Sequence, residues 1–185
     1  MIDVALKEWD LVCSALLSGR QAILLRKGGI LDSGNHFELE HRRFWLFPTF
    51  VHQDPRMVKP EHRAGLTQVR QEPERVQLRG FAEVAGIFAV PDRAAMDRLR
   101  DLHVWDEPLI DMRFGYRPEK PLYLVVLRAF GLAEPVEIEN TFSYAGCKSW
   151  VPLEKGIAEG DALSALGEEK LAAVMERVRA AGHRA

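Results

Sequence analysis

The sequence predicts an α+β fold: a bent, mainly antiparallel sheet or a partly closed small β-barrel, with flanking helices. Three observations carry this. Short apolar runs rich in β-branched and aromatic residues recur at 22–25, 44–47, 76–90 and 121–130. The longest, VQLRGFAEVAGIFAV, holds Gly80 and Gly86 in its interior, which predicts bends or bulges in one long strand. Alternating strand–helix units with a Gly-rich phosphate fingerprint are absent, which argues against a doubly wound sheet.

Each element is expected in order. Ile2, Leu6, Trp9, Cys13 and Leu16 recur at spacings of four and three, one apolar face of an opening helix that Gly19 would stop. A strand over 21–26 follows, then a turn at Lys27, Gly28 and Gly29. Residues 30–34 read as loop, and Phe37 and Leu39 alternate as in a half-buried strand. The strand over 43–47 is expected to stop at Pro48. Residues 53–73 carry three prolines and predict an excursion with at most one short helix. Pro91 and Asp92 open a helix after the long strand. Residues 103–116 show no decisive pattern. The run PLYLVVLRAF is too continuous for an exposed edge. Residues 136–138 and 142–144 read as short extended pieces, and the chain is expected to return to loop after Trp150. A last helix starts at Glu168. Its apolar face is Leu171, Val174, Met175 and Val178, with acids at its start and Arg177, Arg179 and His183 near its end.

At 185 residues, 47% apolar and 28% charged, the chain has the composition of one globular domain. The expected division is a core over 1–153 and a C-terminal extension over 154–185 whose helix packs on the core. No apolar run approaches the roughly 20 residues of a membrane helix. MIDVALKEWD lacks the basic start of a signal peptide. With two cysteines, Cys13 and Cys147, free thiols in a reducing cytoplasm are the expectation.

The net charge of −2 conceals an asymmetry: residues 20–70 hold nine Lys/Arg against five Asp/Glu, a local excess of +4. That field favours an anionic partner. Polar groups collect at the ends of the two strands in this part: Arg26, Lys27, His41, Thr49, His52 and Gln53. A rigid sheet can position such groups against a ligand. If they form one pocket, Arg26, His41, His52 and Gln53 should converge. Arg113, Arg128, Lys148 and Trp150 complete the candidate set. Arginines beside strands, with Trp45, Trp105 and Trp150, could form a basic and aromatic surface for a flipped or single-stranded base.

Other chemistries find less support. His36 and His41 are five apart, and neither HExxH nor CxxC occurs, so no metal and no cofactor is expected. The Lys27-Gly28-Gly29 turn lacks P-loop spacing. Cys147 lies between Gly146 and Lys148 and could act as a nucleophile with His41 or His52 as base, but a structural turn is the preferred reading. No Asp with a following Glu/Asp-x-Lys, and no Glu-rich magnesium helix, is present. Catalytic residues are therefore unassigned.

Four pieces together resemble one bacterial family: ALKEW, LLRKGGI, LFPTFVHQ, and KPLYLVVLR with YAGCKSWVPL. The combination, spanning residues 5 to about 153, is similar to the domain of unknown function DUF1802. The resemblance implies no established activity; it implies an association with restriction–modification systems. GRQAILLR also resembles the strand of PUA- and ASCH-type domains that bind RNA or modified bases.

The expected function is a nucleic-acid-binding or nucleic-acid-associated module, with DNA or RNA as partner and no membrane. The alternative is a small-molecule or nucleotide-processing enzyme with a His/Arg/Lys pocket; a purely structural interaction domain is a third reading. The sequence carries no sign of oligomeric state.

Overall fold

The computed structural model describes residues 1–27, 30–32, 37–146 and 148–184. The chain opens on a strand, β1 (Ile2–Trp9), and only then enters helix α1 (Asp10–Leu17). The expected opening helix is thus half strand. Val4, Ala5 and Leu6 are all buried, so the strand is covered on both faces and shows no alternation. The four-and-three spacing of Ile2, Leu6 and Trp9 is a coincidence that strand pairing overrides.

Four strands follow: β2 (Ile23–Arg26), β3 (Ile30–Asp32), β4 (Phe37–Leu39) and β5 (Arg43–Thr49). After the excursion come β6 (Arg75–Val90), α2 (Arg93–Asp97), α3 (Glu107–Gly115) and β7 (Leu122–Glu139). The chain ends with β8 (Trp150–Ile157), β9 (Ala162–Ser164), α4 (Glu168–Ala181) and β10 (His183–Arg184). The main sheet has eight strands along the path β2-β7-β6-β5-β1-β8, with β9 on β7 and β10 on β6. Among the described residues only β1 and β5 run parallel. The outer strands β2 and β8 do not pair among the described residues, so the sheet stays open and is not a barrel. β3 and β4 form a separate hairpin.

The bends fall where the glycines predict them. β6 and β7 form one long antiparallel pair whose register shifts between Leu78 and Gly80 and again between Val84 and Gly86. A Cβ on Gly80 would stand 2.1 Å from the Phe130 carbonyl oxygen, so the strands can approach there only through glycine. β7 runs straight through to Glu139, which joins the apolar strand and the 136–138 piece into one element. Pro135 falls in the stretch of β7 that has no rung to β6, so its missing N–H breaks none. Pro48 likewise does not end β5. β6 pairs with β5 only as far as Trp45, and beyond that β5 follows β1 alone to Thr49. β8 replaces the expected loop after Trp150 because it pairs with β1.

Two 3₁₀ turns, Pro55–Met57 and Pro60–Gly65, occupy the 53–73 excursion. Gln53 anchors its start: its Oε1 accepts from Leu11 N–H at 3.0 Å and its Nε2 donates to the Thr67 carbonyl at 2.8 Å. The buried Lys59 donates to the Arg100 and His103 carbonyls. The Glu72 carboxylate closes the far end by accepting from the Phe50 and Val51 N–H groups at 2.9 and 3.0 Å. α2 follows Pro91 and Asp92 as expected, but Pro91 stands before the helix and not in its first turn; Asp92 is the cap, accepting from Ala95 N–H at 2.8 Å. One apolar core joins the sheet to α1, to Met96 of α2, to Leu109 and Ile110 of α3, and to Leu171, Val178 and Ala181 of α4. No helix among the described residues is long and apolar enough to cross a membrane.

Candidate functional site

A cleft of about 780 Å³ opens where β1 and β5 end together. That is within the roughly 300–1,000 Å³ of small-ligand clefts. Because these two strands are parallel, their C-terminal residues emerge side by side: Lys7, Glu8 and Trp9 from β1, Phe47 and Thr49 from β5. Arg26 enters from the end of β2, and Arg113 from α3. The connection from β7 to β8 forms the opposite wall. His52 and Glu72 close the side toward the excursion. Arg26, Phe47 and Tyr144 are buried and make the floor; His52, Phe142 and Lys148 are exposed at the rim.

The wall is held by Lys7. Its Nζ donates to the Tyr144 carbonyl and, at 3.2 Å, to the Gly146 carbonyl, and it lies 5.8 Å from the centre of the Phe47 ring. Tyr144 packs edge-on against Phe47 at 5.8 Å, and its hydroxyl accepts from Glu154 N–H at 3.0 Å. Thr49 Oγ1 donates to the Glu8 carbonyl at 3.1 Å. Glu72, already bonded to two backbone N–H groups, fixes the turn that carries His52.

The floor holds the unusual chemistry. Arg26 is 9% exposed. Its Nε and that of Arg113 are buried with no hydrogen-bond partner among the described residues. Burial pushes the Arg26 guanidinium pKa down; the nearby Glu8 carboxylate opposes that shift, and the charge of Arg113 adds to it. Two like charges therefore stand within each other's field, and that of Arg26 is desolvated. Buried polar groups are normally satisfied within the fold, so this pair marks a place where an acceptor belongs.

The structure divides the candidate residues in two. Arg26, Thr49, His52, Arg113 and Lys148 line the cleft. The other five lie outside it and are engaged elsewhere. Lys27 caps the C-terminal end of α3, donating to the carbonyls of Phe114, Tyr116 and Arg117. His41 packs edge-on against Trp150 at 5.1 Å, and Trp150 against Phe44 at 5.0 Å. Gln53 anchors the excursion, and Arg128 pairs with Glu168 at 2.6 Å. His36, Cys147 and the glycines at 28 and 29 lie outside the described residues. Among the described residues no three His, Cys, Asp or Glu side chains could hold a metal.

Sequence reasoning passed over Lys7, Glu8, Trp9, Glu72, Phe142 and Tyr144. The signal for the first three was present: KEW closes an apolar run, as strand-end polar residues do. It was hidden by reading that run as helix.

No curated protein matches the chain. Among solved structures, the ASCH protein of Zymomonas mobilis is 13% identical, with a TM-score of 0.48, over 98% of this chain and 96% of its own. A single-residue mutant of that protein is 14% identical, with a TM-score of 0.48, over 82% of this chain and 90% of its own. A family model described as a domain of unknown function, DUF1802, matches residues 5–177. That match takes in the ends of β1, β2 and β5, α3 and the β7–β8 connection, which together build the cleft, and the chain belongs to the DUF1802 family.

Proposed function

We propose that this protein is a nucleic-acid-binding module of the cytoplasm that takes one unpaired nucleotide into the cleft. The observation that carries this reading is the pair of buried Arg26 and part-buried Arg113, each with an unpartnered Nε, in a cleft with aromatic walls. Guanidinium forks match phosphate oxygens bidentately. Phe142 is 95% exposed at the rim, where water gives it no reason to be. An aromatic ring in that position offers a base a stacking surface worth about 1–3 kcal/mol. A duplex keeps its bases stacked, so a single strand should bind more tightly.

Fluorescence anisotropy with labelled single- and double-stranded oligonucleotides tests the reading. Single strands should bind more tightly than duplex, and Phe142→Ala should weaken that binding about fivefold or more. Absence of binding to either form at low salt, with the protein folded, overturns it.

A nucleotide-processing enzyme is the second reading. It is favoured by His52 and Lys148 lining the same cleft as the arginine pair. The hydroxyl on the cleft wall nearest Glu8, that of Thr49, is already donated to a backbone carbonyl, which counts against its use as a nucleophile. Turnover of nucleotides by the wild type, lost in His52→Ala, would put this reading ahead. The association with restriction–modification rests on the family resemblance and on no residue of the cleft.

A further inference from the structure

We infer that the Arg26–Arg113 floor holds a terminal phosphate monoester, so that the ligand enters end-on as a phosphorylated chain end and does not run through. This rests on the nucleic-acid reading above and narrows its ligand. Two observations carry it.

The first is depth. Arg26 is 9% exposed, and Phe47 and Tyr144 close the floor beside it. A phosphodiester within a strand must bring nucleotides in on both sides and needs a way out. A chain end needs only one path, and the exposed rim at Phe142 and Lys148 offers it.

The second is the number of donors. Arg26 and Arg113 each bury an Nε that has no hydrogen-bond partner among the described residues, so each guanidinium has a donor uncommitted within the fold. Two forks can be filled by the three terminal oxygens of a monoester. A diester presents only two non-bridging oxygens and so offers the two forks fewer directions from which to be met.

The test uses single-stranded hexanucleotides in two matched pairs. One pair is labelled at the 3′ end and carries a 5′-phosphate or 5′-hydroxyl; the other is labelled at the 5′ end and carries a 3′-phosphate or 3′-hydroxyl. For one of the ends, the phosphorylated form should bind about tenfold or more tightly than the hydroxyl form. Arg26→Met and Arg113→Gln should each bring that ratio close to one, while Phe142→Ala weakens both members of the pair alike. Arg113 lies on a helix face and is only part-buried, so Arg113→Gln keeps the test alive if Arg26→Met fails to fold. Binding with a ratio near one at both ends overturns the inference and leaves the nucleic-acid reading standing, as does a ratio that survives both variants. If no hexanucleotide binds, calorimetry with nucleoside 5′- and 3′-monophosphates separates the cases. Heat that disappears in Arg113→Gln keeps the phosphate site and sinks the nucleic-acid reading; no heat sinks both.

Discussion

Arg26 and Lys27 are adjacent and do opposite work. Lys27 Nζ donates to the carbonyls of Phe114, Tyr116 and Arg117 at 3.0, 2.6 and 3.1 Å, tying the end of α3 to the end of β2. Arg26, its side chain turned the other way by the alternation of a strand, enters the cleft and donates to nothing among the described residues. The tie matters to the cleft because α3 also carries Arg113.

Opposite stability effects are therefore expected from two neighbouring substitutions. Lys27→Met removes a cation from a helix C-terminus and three charge-assisted bonds, and should cost about 1–2 kcal/mol. Arg26→Met removes a buried unpaired charge and should leave stability unchanged or raise it by about 1 kcal/mol or more. Urea denaturation of the two variants checks this. A loss of several kcal/mol in Arg26→Met would make Arg26 a structural group and not a ligand-binding one.

The two glycines of β6 should not be equally replaceable. An alanine Cβ at position 80 meets backbone, the Phe130 carbonyl oxygen at 2.1 Å, and Leu17 Cδ2 at 2.4 Å. Neither strand can yield without losing rungs, so Gly80→Ala should cost about 3 kcal/mol. At position 86 the nearest atoms are Met175 Cε at 2.8 Å and Phe88 Cε2 at 2.9 Å, both ends of side chains. Methionine repacks readily, so Gly86→Ala should stay within about 1 kcal/mol of wild type. Thermal denaturation of both variants distinguishes the sites.

His103 should make the protein acid-sensitive. It is buried and stacked on Trp105 at 5.4 Å. Burial, and then the charge of Lys59, push its pKa down to about 3. In the unfolded chain it returns to about 6.5. Between those two values the unfolded state holds one proton more, so stability falls as pH falls, by about 1.4 kcal/mol per pH unit. Going from pH 6.5 to pH 5 should therefore cost about 2 kcal/mol from this residue alone. His103→Phe should lose that part of the pH dependence. Denaturation midpoints of wild type and variant at pH 7 and pH 5 supply the comparison; equal pH dependence in both would refute the assignment.

Nucleic-acid binding should carry a shallow salt dependence. The local excess of +4 over residues 20–70 predicts three or four phosphate contacts. Most of those cations are committed within the fold: Lys27 to α3, Arg43 to Glu83 and Glu159, Arg56 to Asp54, Lys59 to two carbonyls, Arg63 to Asp106. Arg26, Arg113 and Lys148 leave two or three contacts. At about −0.7 per phosphate on a single strand, affinity should fall about sevenfold to twentyfold between 50 and 200 mM salt. Anisotropy titrations across that range measure the slope; one of four or more phosphates would place the contact surface outside the cleft.

The candidate site was partly legible. Arg26, Thr49, His52, Arg113 and Lys148 could be picked out as polar residues beside apolar runs, which needs only composition and order. His41, Gln53, Arg128 and Trp150 have the same local appearance but meet partners inside the fold. Nothing within a few residues of Gln53 shows that its amide will bridge Leu11 and Thr67. Such partners are set by packing between elements far apart in the chain.

The sequence by itself determined the α+β class, the long bent strand, the capped start of α2 and the closing helix α4. Each follows from local chemistry: β-branched runs, glycines where strands must approach, an aspartate before a helix, and a 3.6-residue apolar stripe. Tertiary structure alone decided three things. It made Ile2–Trp9 a strand, because β5 and β8 supply hydrogen bonds on both sides that outweigh a helical spacing. It left the sheet open, because β2 and β8 find no partner in each other among the described residues. It brought Arg26 and Arg113 together across 87 positions, because Lys27 holds α3 against β2. Local propensity contains no term for a contact of that range, and the cleft is made of such contacts.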